Sequence, residues 1–241
     1  MRPSEQSKLR VRARSSLIDR VLLWCGIAYA VSYVVANDVV AAASYSGYRR
    51  WDQAISELSA KGADPRPFLV AMLPIWTALM IGFGIGVWRS ARGRRALQVT
   101  GGLMMAHGVV AIGWLWFPMT ARADMVATGT GSNDTGHLVM SGSTGLFVVA
   151  ELVASAVAFG WWIRMYSIFT VVVILVCGVL TSALSPNLAD GKPTPWMGLY
   201  ERVSIGGWLL WMSVLAVILL TELRRGSFHA ATSTGPLARA A

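Results

Sequence analysis

The sequence predicts an all-α membrane protein, a polytopic bundle of six transmembrane helices with both termini in the cytoplasm. The chain of 241 residues is 55% hydrophobic and only 14% charged, whereas soluble domains are about one quarter charged. It contains six apolar runs of the roughly 20 residues that a helix needs to cross the hydrocarbon core. Its Lys and Arg residues gather in short clusters between those runs.

The six runs define the domain organisation. A basic cytoplasmic tail over residues 1–20 precedes a transmembrane domain over residues 21–225, and residues 226–241 are predicted to be a disordered cytoplasmic tail. The first span is interpreted as a retained helix because its apolar part exceeds the 7–15 residues of a secretory signal. The predicted spans are approximately residues 21–43, 68–88, 96–117, 138–162, 166–184 and 203–221.

The distribution of positive charge predicts the orientation. With the N-terminus inside, about two thirds of the 21 Lys and Arg residues fall in the inner segments. Such an excess is typical of cytoplasmic loops. We therefore expect a multi-pass protein of the plasma (inner) membrane, with its three long loops on the outer side.

Two features stand out in those outer loops. Trp51, Ala54, Ile55 and Leu58 recur at helical spacing, which predicts a short amphipathic helix lying on the outer membrane surface. The segment 129–136 is rich in Gly, Thr, Ser, Asn and Asp. This composition is typical of a flexible loop.

Two ionisable residues lie deep within predicted spans, where each is a candidate functional group because burial in lipid is costly. His107 and Glu151 both lie about 16 Å from the inner ends of the third and fourth spans. Neighbouring antiparallel helices would bring them together, so we predict a hydrogen bond or ion pair near the mid-plane. The pair could be structural, or it could transfer protons as a catalytic acid and base.

A second polar group gathers at the outer ends of the helices. Its candidate catalytic residues are Glu57 and His137. Its candidate binding residues are Asp38, Asp52, Ser56, Ser141, Glu201 and Arg202. We predict that Glu57, His137 and Arg202 line one extracytoplasmic pocket, with Glu57 either pairing with Arg202 or acting as an acid. The alternatives are headgroup contacts, helix capping and solvated loop charge.

The sequence predicts no metal and no cofactor. Cys25 and Cys177 lack a CxxC partner. Haem held by two histidines needs both at one depth, but His137 opens the fourth span while His107 lies about 15 Å below the outer surface. No basic face with base-stacking aromatics appears, which excludes nucleic acid. The expected partners are membrane lipids or a hydrophobic small molecule, and nothing indicates the oligomeric state.

One pattern resembles a known family. The segment Ile55–Ala60 after the first span, His137 opening the fourth and Glu201-Arg202 opening the sixth are similar to the bacterial membrane proteins called domain of unknown function 998. The resemblance covers most of residues 21–222 and implies a six-helix bundle without a defined activity. Ser56, Glu57, His137 and Arg202 match its polar pattern. His107 and Glu151 do not belong to it.

Three functional hypotheses follow from these residues. The first is a protein that binds a lipid or small amphiphile in an outer polar pocket. The second is an intramembrane enzyme performing acid–base isomerisation or cyclisation of an isoprenoid-like lipid between aromatic walls, namely Trp76, Trp114, Trp208 and Trp211. The third is a proton-coupled transporter using His107 and Glu151, against which the lack of an internal repeat counts.

The charge distribution makes a topology prediction. Cysteines introduced at Ser132 and Ala189 should react with a membrane-impermeant thiol reagent in intact cells, because both sites lie on the predicted outer side. A cysteine at Ser90 should stay unlabelled. Labelling at Ser90 alone would mean that the orientation is inverted.

Overall fold

A computed structural model describes the backbone of residues 3–232 and the side chains of residues 17–225. Six long helices dominate it, and each contains a stretch long and apolar enough to cross a membrane. The described residues form no named strand, and one isolated bridge joins Lys61 to Thr120. The prediction of an all-α six-helix fold is confirmed. The helices are α1 (Pro3–Val34), α2 (Arg66–Arg89), α3 (Arg95–Val110), α4 (Ser132–Ala158), α5 (Trp161–Leu184) and α6 (Met197–Thr232).

The helices form a closed ring in chain order. Each packs against the helices before and after it, and α1 returns to pack against α6. Short connections join the helices at the end where α2 meets α3 and α4 meets α5. Long loops lie at the opposite end, which we call the outer side in keeping with the predicted orientation.

The inner half of the ring is tightly packed. Its apolar core includes Leu23, Phe83, Leu97, Leu152 and Leu219, all at most 1% exposed. Close packing of this kind is expected where long apolar helices converge around one axis.

Ion pairs fasten the inner rim of this core. Arg94, in the loop between α2 and α3, donates two hydrogen bonds to the carboxylate of Glu222 on α6, at 3.2 and 2.6 Å. Arg89 pairs with Asp19 at 2.5 Å. The inner ends of α1, α2 and α6 are thereby connected.

Short elements complete the outer side. The end of α1 continues as a π-helical turn over Val35–Ala41, and α3 continues as a 3₁₀ turn over Ala111–Leu115. A 3₁₀ turn spans Ile55–Ser59, and two short helices span Arg122–Thr128 and Pro186–Ala189. These elements cover the outer mouth of the ring.

The structure corrects the predicted ends of the fourth span. α4 begins at Ser132, inside the segment predicted as a flexible loop, because the Asp134 carboxylate caps it by accepting the backbone N–H of Gly131 at 2.9 Å. It ends at Ala158 rather than residue 162. Phe159 and Gly160 adopt extended conformations there.

The last helix runs further than the sixth predicted span. Its backbone continues to Thr232, into the predicted tail over residues 226–241. The remainder of that tail, residues 233–241, lies outside the described residues.

The predicted amphipathic surface helix is also corrected. Only Ile55–Ser59 is helical, as a single 3₁₀ turn, and Ala54, Ile55 and Leu58 are buried instead of lying on the membrane. Ile55 and Leu58 pack under the outer loops against Leu69 and Trp76, whereas Trp51 is exposed. The helical spacing of Ala54, Ile55 and Leu58 therefore indicates burial within the protein and not contact with the membrane surface.

The structure also refines the topology test. Ser90 is only 5% exposed, so its failure to react would not report on its side of the membrane. Arg92, in the same inner loop, is exposed. A cysteine at Arg92 is therefore the better inner reporter.

Two glycines create the closest helix contact in the inner half. A Cβ added to Gly101 on α3 would lie 2.5 Å from the carbonyl oxygen of Gly84 on α2. Gly101→Ala should therefore lower the free energy of unfolding by about 1–3 kcal/mol through overpacking. Thermal unfolding in detergent measures this. Gly206→Ala is the matched control, because no atom lies within 4 Å of its added Cβ, and it should be neutral or stabilising.

Candidate functional site

A large cavity occupies the outer half of the ring. Its volume is about 1190 Å³, and all six helices contribute to its lining. Ligand sites in proteins usually measure about 300–1,000 Å³. The cavity is therefore large enough for a sizeable molecule.

Its walls are mostly apolar. Leu69, Leu73, Val148 and Ile205 line the cavity. Of the four tryptophans predicted to form aromatic walls, Trp76, Trp114 and Trp208 line it too. Trp211 does not, because it lies in the inner core with its indole N–H donating to Ser167 at 3.1 Å.

A buried polar network forms the floor. Nδ1 of His107 lies 2.9 Å from one carboxylate oxygen of Glu151, and the indole N–H of Trp208 donates to the other at 3.0 Å. The side chains of His107 and Glu151 are 4% and 0% exposed. The predicted contact is confirmed. His107 lines the cavity, and Glu151 lies behind it.

Aromatic rings hold the imidazole in place. The ring of His107 stacks on Phe147 with centroids 5.4 Å apart and lies at the same distance from Trp208. The carboxylate therefore fixes one nitrogen while these two rings fix the plane. A histidine oriented by a carboxylate is the arrangement that positions a base or a hydrogen-bonding group.

Polar residues also line the outer rim of the cavity. Ser56, His137, Ser141 and Glu201 lie there, as predicted candidates, and Arg66 joins them. His137 donates from Nδ1 to the carbonyl of Phe117 at 3.1 Å.

Two of the other rim candidates, Ser141 and Glu201, are engaged by backbone groups. The Ser141 hydroxyl donates to the carbonyl of His137 at 2.9 Å, so it is not paired with the imidazole as a nucleophile would be. Glu201 accepts the backbone N–H of Ile55.

One side of the cavity is open between α4 and α5. These helices are joined at their inner ends and pack against each other less than the other neighbouring pairs do. Four apolar residues that line the cavity here are more than half exposed: Leu138, Leu146, Leu175 and Val179. The opening lies within the apolar stretches of α4 and α5 that are long enough to cross a membrane.

Glycines widen this opening. An added Cβ at Gly142, Gly145 or Gly178 would meet no atom within 4 Å, and all three line the cavity. Gly145 therefore does not pack against a neighbouring helix, although its spacing from Ser141 is typical of a helix-packing pair.

Two glycines of α2 at the same four-residue spacing do pack against a neighbouring helix. Gly82 and Gly86 lie against Cys25 and Leu22 of α1. Their small size allows α1 and α2 to approach closely.

Glu57 forms part of the roof above the cavity rather than its lining. Its carboxylate is 3% exposed and accepts hydrogen bonds from Arg122 at 2.8 and 3.1 Å. It also accepts from the side chain of Gln53 and the backbone N–H of Ala54, each at 3.0 Å. Arg122 donates in turn to Thr194 at 2.9 Å. The three long outer loops therefore meet at this one carboxylate.

Arg202 is likewise engaged outside the cavity. It pairs with Asp38 at 2.7 Å, donates to the carbonyl of Arg50 at 2.7 Å and to the Tyr48 hydroxyl at 2.9 Å. Burial raises the pKa of Tyr48 well above its usual value, so the phenol stays neutral near pH 7. The prediction that Glu57, His137 and Arg202 line one pocket is wrong, because the charges of Glu57 and Arg202 are each satisfied by another partner.

Asp52 also lies away from the cavity. Its carboxylate accepts the backbone N–H of Trp196 at 3.3 Å and lies 3.7 Å from Arg49. It connects the first and third outer loops.

Sequence reasoning missed three residues. Arg66 lies just before the second predicted span, and that position alone places it near the rim. Arg122 lies in a loop without any motif. Asn37 lies near the end of the first predicted span, in the π-helical turn, and lines the cavity. Such turns are frequent at functional sites.

The side chains that the structure describes contain no group of three or more potential ligands that could hold a metal ion. The two cysteines lie on different helices and are free.

Comparison with known proteins identifies a family. A family model described as "Protein of unknown function (DUF998)" matches residues 20–218. No curated protein and no solved structure matches the chain.

The roof makes a stability prediction. Glu57→Gln should lower the free energy of unfolding by about 3 kcal/mol, because it leaves the partly buried Arg122 without its counter-charge. Differential scanning fluorimetry in detergent measures the loss. Asp190→Asn removes an exposed ion pair with Lys192 in the third outer loop and should cost less than about 1 kcal/mol. Equal effects would mean that Glu57 does not fasten the roof.

Proposed function

We propose that this chain, which belongs to the DUF998 family of proteins of unknown function, binds an amphiphilic lipid within the membrane. The observation that carries the proposal is the cavity of about 1190 Å³ in the outer half of the bundle. Its walls are apolar and its outer rim is polar. A lipid has the same division between tail and head.

The opening between α4 and α5 supports a lipid over a water-soluble ligand. The residues at the opening, such as Leu146 and Val179, are apolar and exposed. In a bilayer they would face acyl chains rather than water. A lipid tail could therefore pass sideways from the membrane into the cavity without leaving a hydrocarbon environment.

The rim suits an acidic headgroup. Arg66 makes two hydrogen bonds, to the carbonyls of Ser59 at 2.7 Å and Leu115 at 3.5 Å, and a guanidinium has five N–H donors. The remaining donors can receive a carboxylate or phosphate in a planar fork. His137 keeps Nε2 for a further contact, since its Nδ1 is engaged.

A second candidate function is acid–base chemistry on the same lipid, such as isomerisation. The pair of His107 and Glu151 at the floor favours it, because a carboxylate that holds Nδ1 leaves Nε2 able to accept or give a proton. A lipid recovered in altered form from wild-type protein, but unaltered from the His107→Phe variant, would support an enzyme. Unaltered lipid from both would contradict it.

Lipid retention tests the binding proposal. Wild-type protein purified in mild detergent should carry lipid that organic extraction and mass spectrometry detect at close to one molecule per chain. Gly145→Phe and Gly178→Phe should each lose most of it, because a ring would fill the cavity beside the opening.

Gly206→Phe is the matched control. Like the two test variants, it places a ring at a helical glycine whose added Cβ would meet open space. Unlike Gly145 and Gly178, Gly206 does not line the cavity. This variant should retain lipid at the wild-type level. Equal retention by all four proteins would contradict the proposal, since the lipid would then be bound to the outer surface.

A further inference from the structure

We infer that His107 forms a second polar subsite at the closed end of the cavity, and that this subsite binds a hydroxyl group at the buried end of the ligand. The inference rests on the proposed function. It narrows the ligand from an amphiphile with one polar head to a hydrocarbon chain or ring system that is polar at both ends.

The imidazole of His107 has one nitrogen without a protein partner. Nδ1 is engaged by Glu151 at 2.9 Å, while Nε2 has no hydrogen-bond partner among the described side chains and backbone. Four described side-chain atoms are both fully buried and without a partner: Arg20 Nε, Thr77 Oγ1, Ser90 Oγ and Thr144 Oγ1. Nε2 of His107 is not among them, so it is accessible. Since His107 lines the cavity, Nε2 faces the cavity space.

An unpartnered ring nitrogen at this place needs an explanation. Burying a polar group without a hydrogen bond costs stability, and buried polar groups are nearly always paired. Met80, Val148 and Ile174 also line the cavity, and their side chains offer no strong hydrogen-bonding group. A ligand atom is therefore the natural partner of Nε2.

A hydroxyl fits both protonation states of the pair. When His107 is neutral and donates Nδ1–H to the Glu151 carboxylate, Nε2 is an acceptor. When the imidazole is charged, Nε2 is a donor. A carbonyl oxygen would suit only the charged form, whereas a hydroxyl donates in the first case and accepts in the second.

The length of the cavity defines where that hydroxyl lies. His107 stacks on Phe147, which is ten positions beyond His137 on α4. At 1.5 Å per residue the floor is about 15 Å below the rim. The ligand should therefore carry its head and its buried hydroxyl about that far apart.

Matched fatty acids test the inference. Protein in nanodiscs is titrated with ω-hydroxy fatty acids of increasing chain length. Each is compared with the unsubstituted fatty acid of the same length. Displacement of a bound fluorescent fatty acid measures the affinity. At the chain length that reaches His107, the ω-hydroxy acid should bind about tenfold more tightly, the effect of one additional hydrogen bond. Shorter pairs should show no preference.

Two variants assign the preference to His107. His107→Phe combined with Glu151→Gln keeps a stacked ring and leaves no unpaired charge, so the bundle should fold. It should still bind the unsubstituted acid, at least as tightly because the phenyl ring is apolar, and lose the tenfold preference for the ω-hydroxy acid. Thr100→Val is the control, because the buried Thr100 hydroxyl lies on the same helix as His107, donates to the carbonyl of Ala96 at 2.9 Å and is not part of the cavity lining. It should keep the preference.

The outcomes separate the two proposals. Equal binding of the hydroxylated and unsubstituted acids at every length overturns the subsite and leaves lipid binding intact. A preference that survives in the double variant also overturns it, since another group would then hold the hydroxyl. Failure of both acids to bind overturns the proposed function and the subsite together.

Discussion

The buried carboxylate of Glu57 holds the outer side of this bundle together. Each of the three long outer loops contributes to its surroundings, through its own segment, through Arg122 and through Thr194. This buried carboxylate receives four hydrogen bonds, two of them from a guanidinium. The loops are thereby held above the cavity, and the first of them contributes Ser56 to the polar rim.

The polar residues of the outer half fall into two groups. Those that tie the chain to itself, such as Glu57, Asp38 and Arg202, have their charges satisfied by protein partners. Those that line the cavity keep hydrogen-bonding capacity unused, as Arg66 and His107 do. In the hydrocarbon core of a membrane, no water is present to form hydrogen bonds with a polar group that lacks a protein partner. This difference, rather than charge alone, separates the residues that tie the loops together from those that face the cavity.

The inner half of the ring is closely packed, whereas the outer half contains the cavity. The inner half is held by close contacts such as that between Gly84 and Gly101 and by the Arg94–Glu222 pair. It leaves little free volume. The outer half can then open between α4 and α5 without loss of the fold, because the helices are already fixed at their inner ends. The pair of His107 and Glu151 lies at the boundary, where packed core meets cavity.

The sequence by itself determined the six helices, their order and the matched depth of His107 and Glu151, because hydrophobic length and helical rise are local properties that hold wherever the helices pack. It could not assign partners to Glu57 and Arg202. Several outer charges lay at similar depth, and helical rise does not say which way each side chain points. Only the closed ring and the folded loops decided that Glu57 meets Arg122 and Arg202 meets Asp38. The cavity depended on tertiary structure for the same reason, since the space between helices is a property of their packing and not of any one segment.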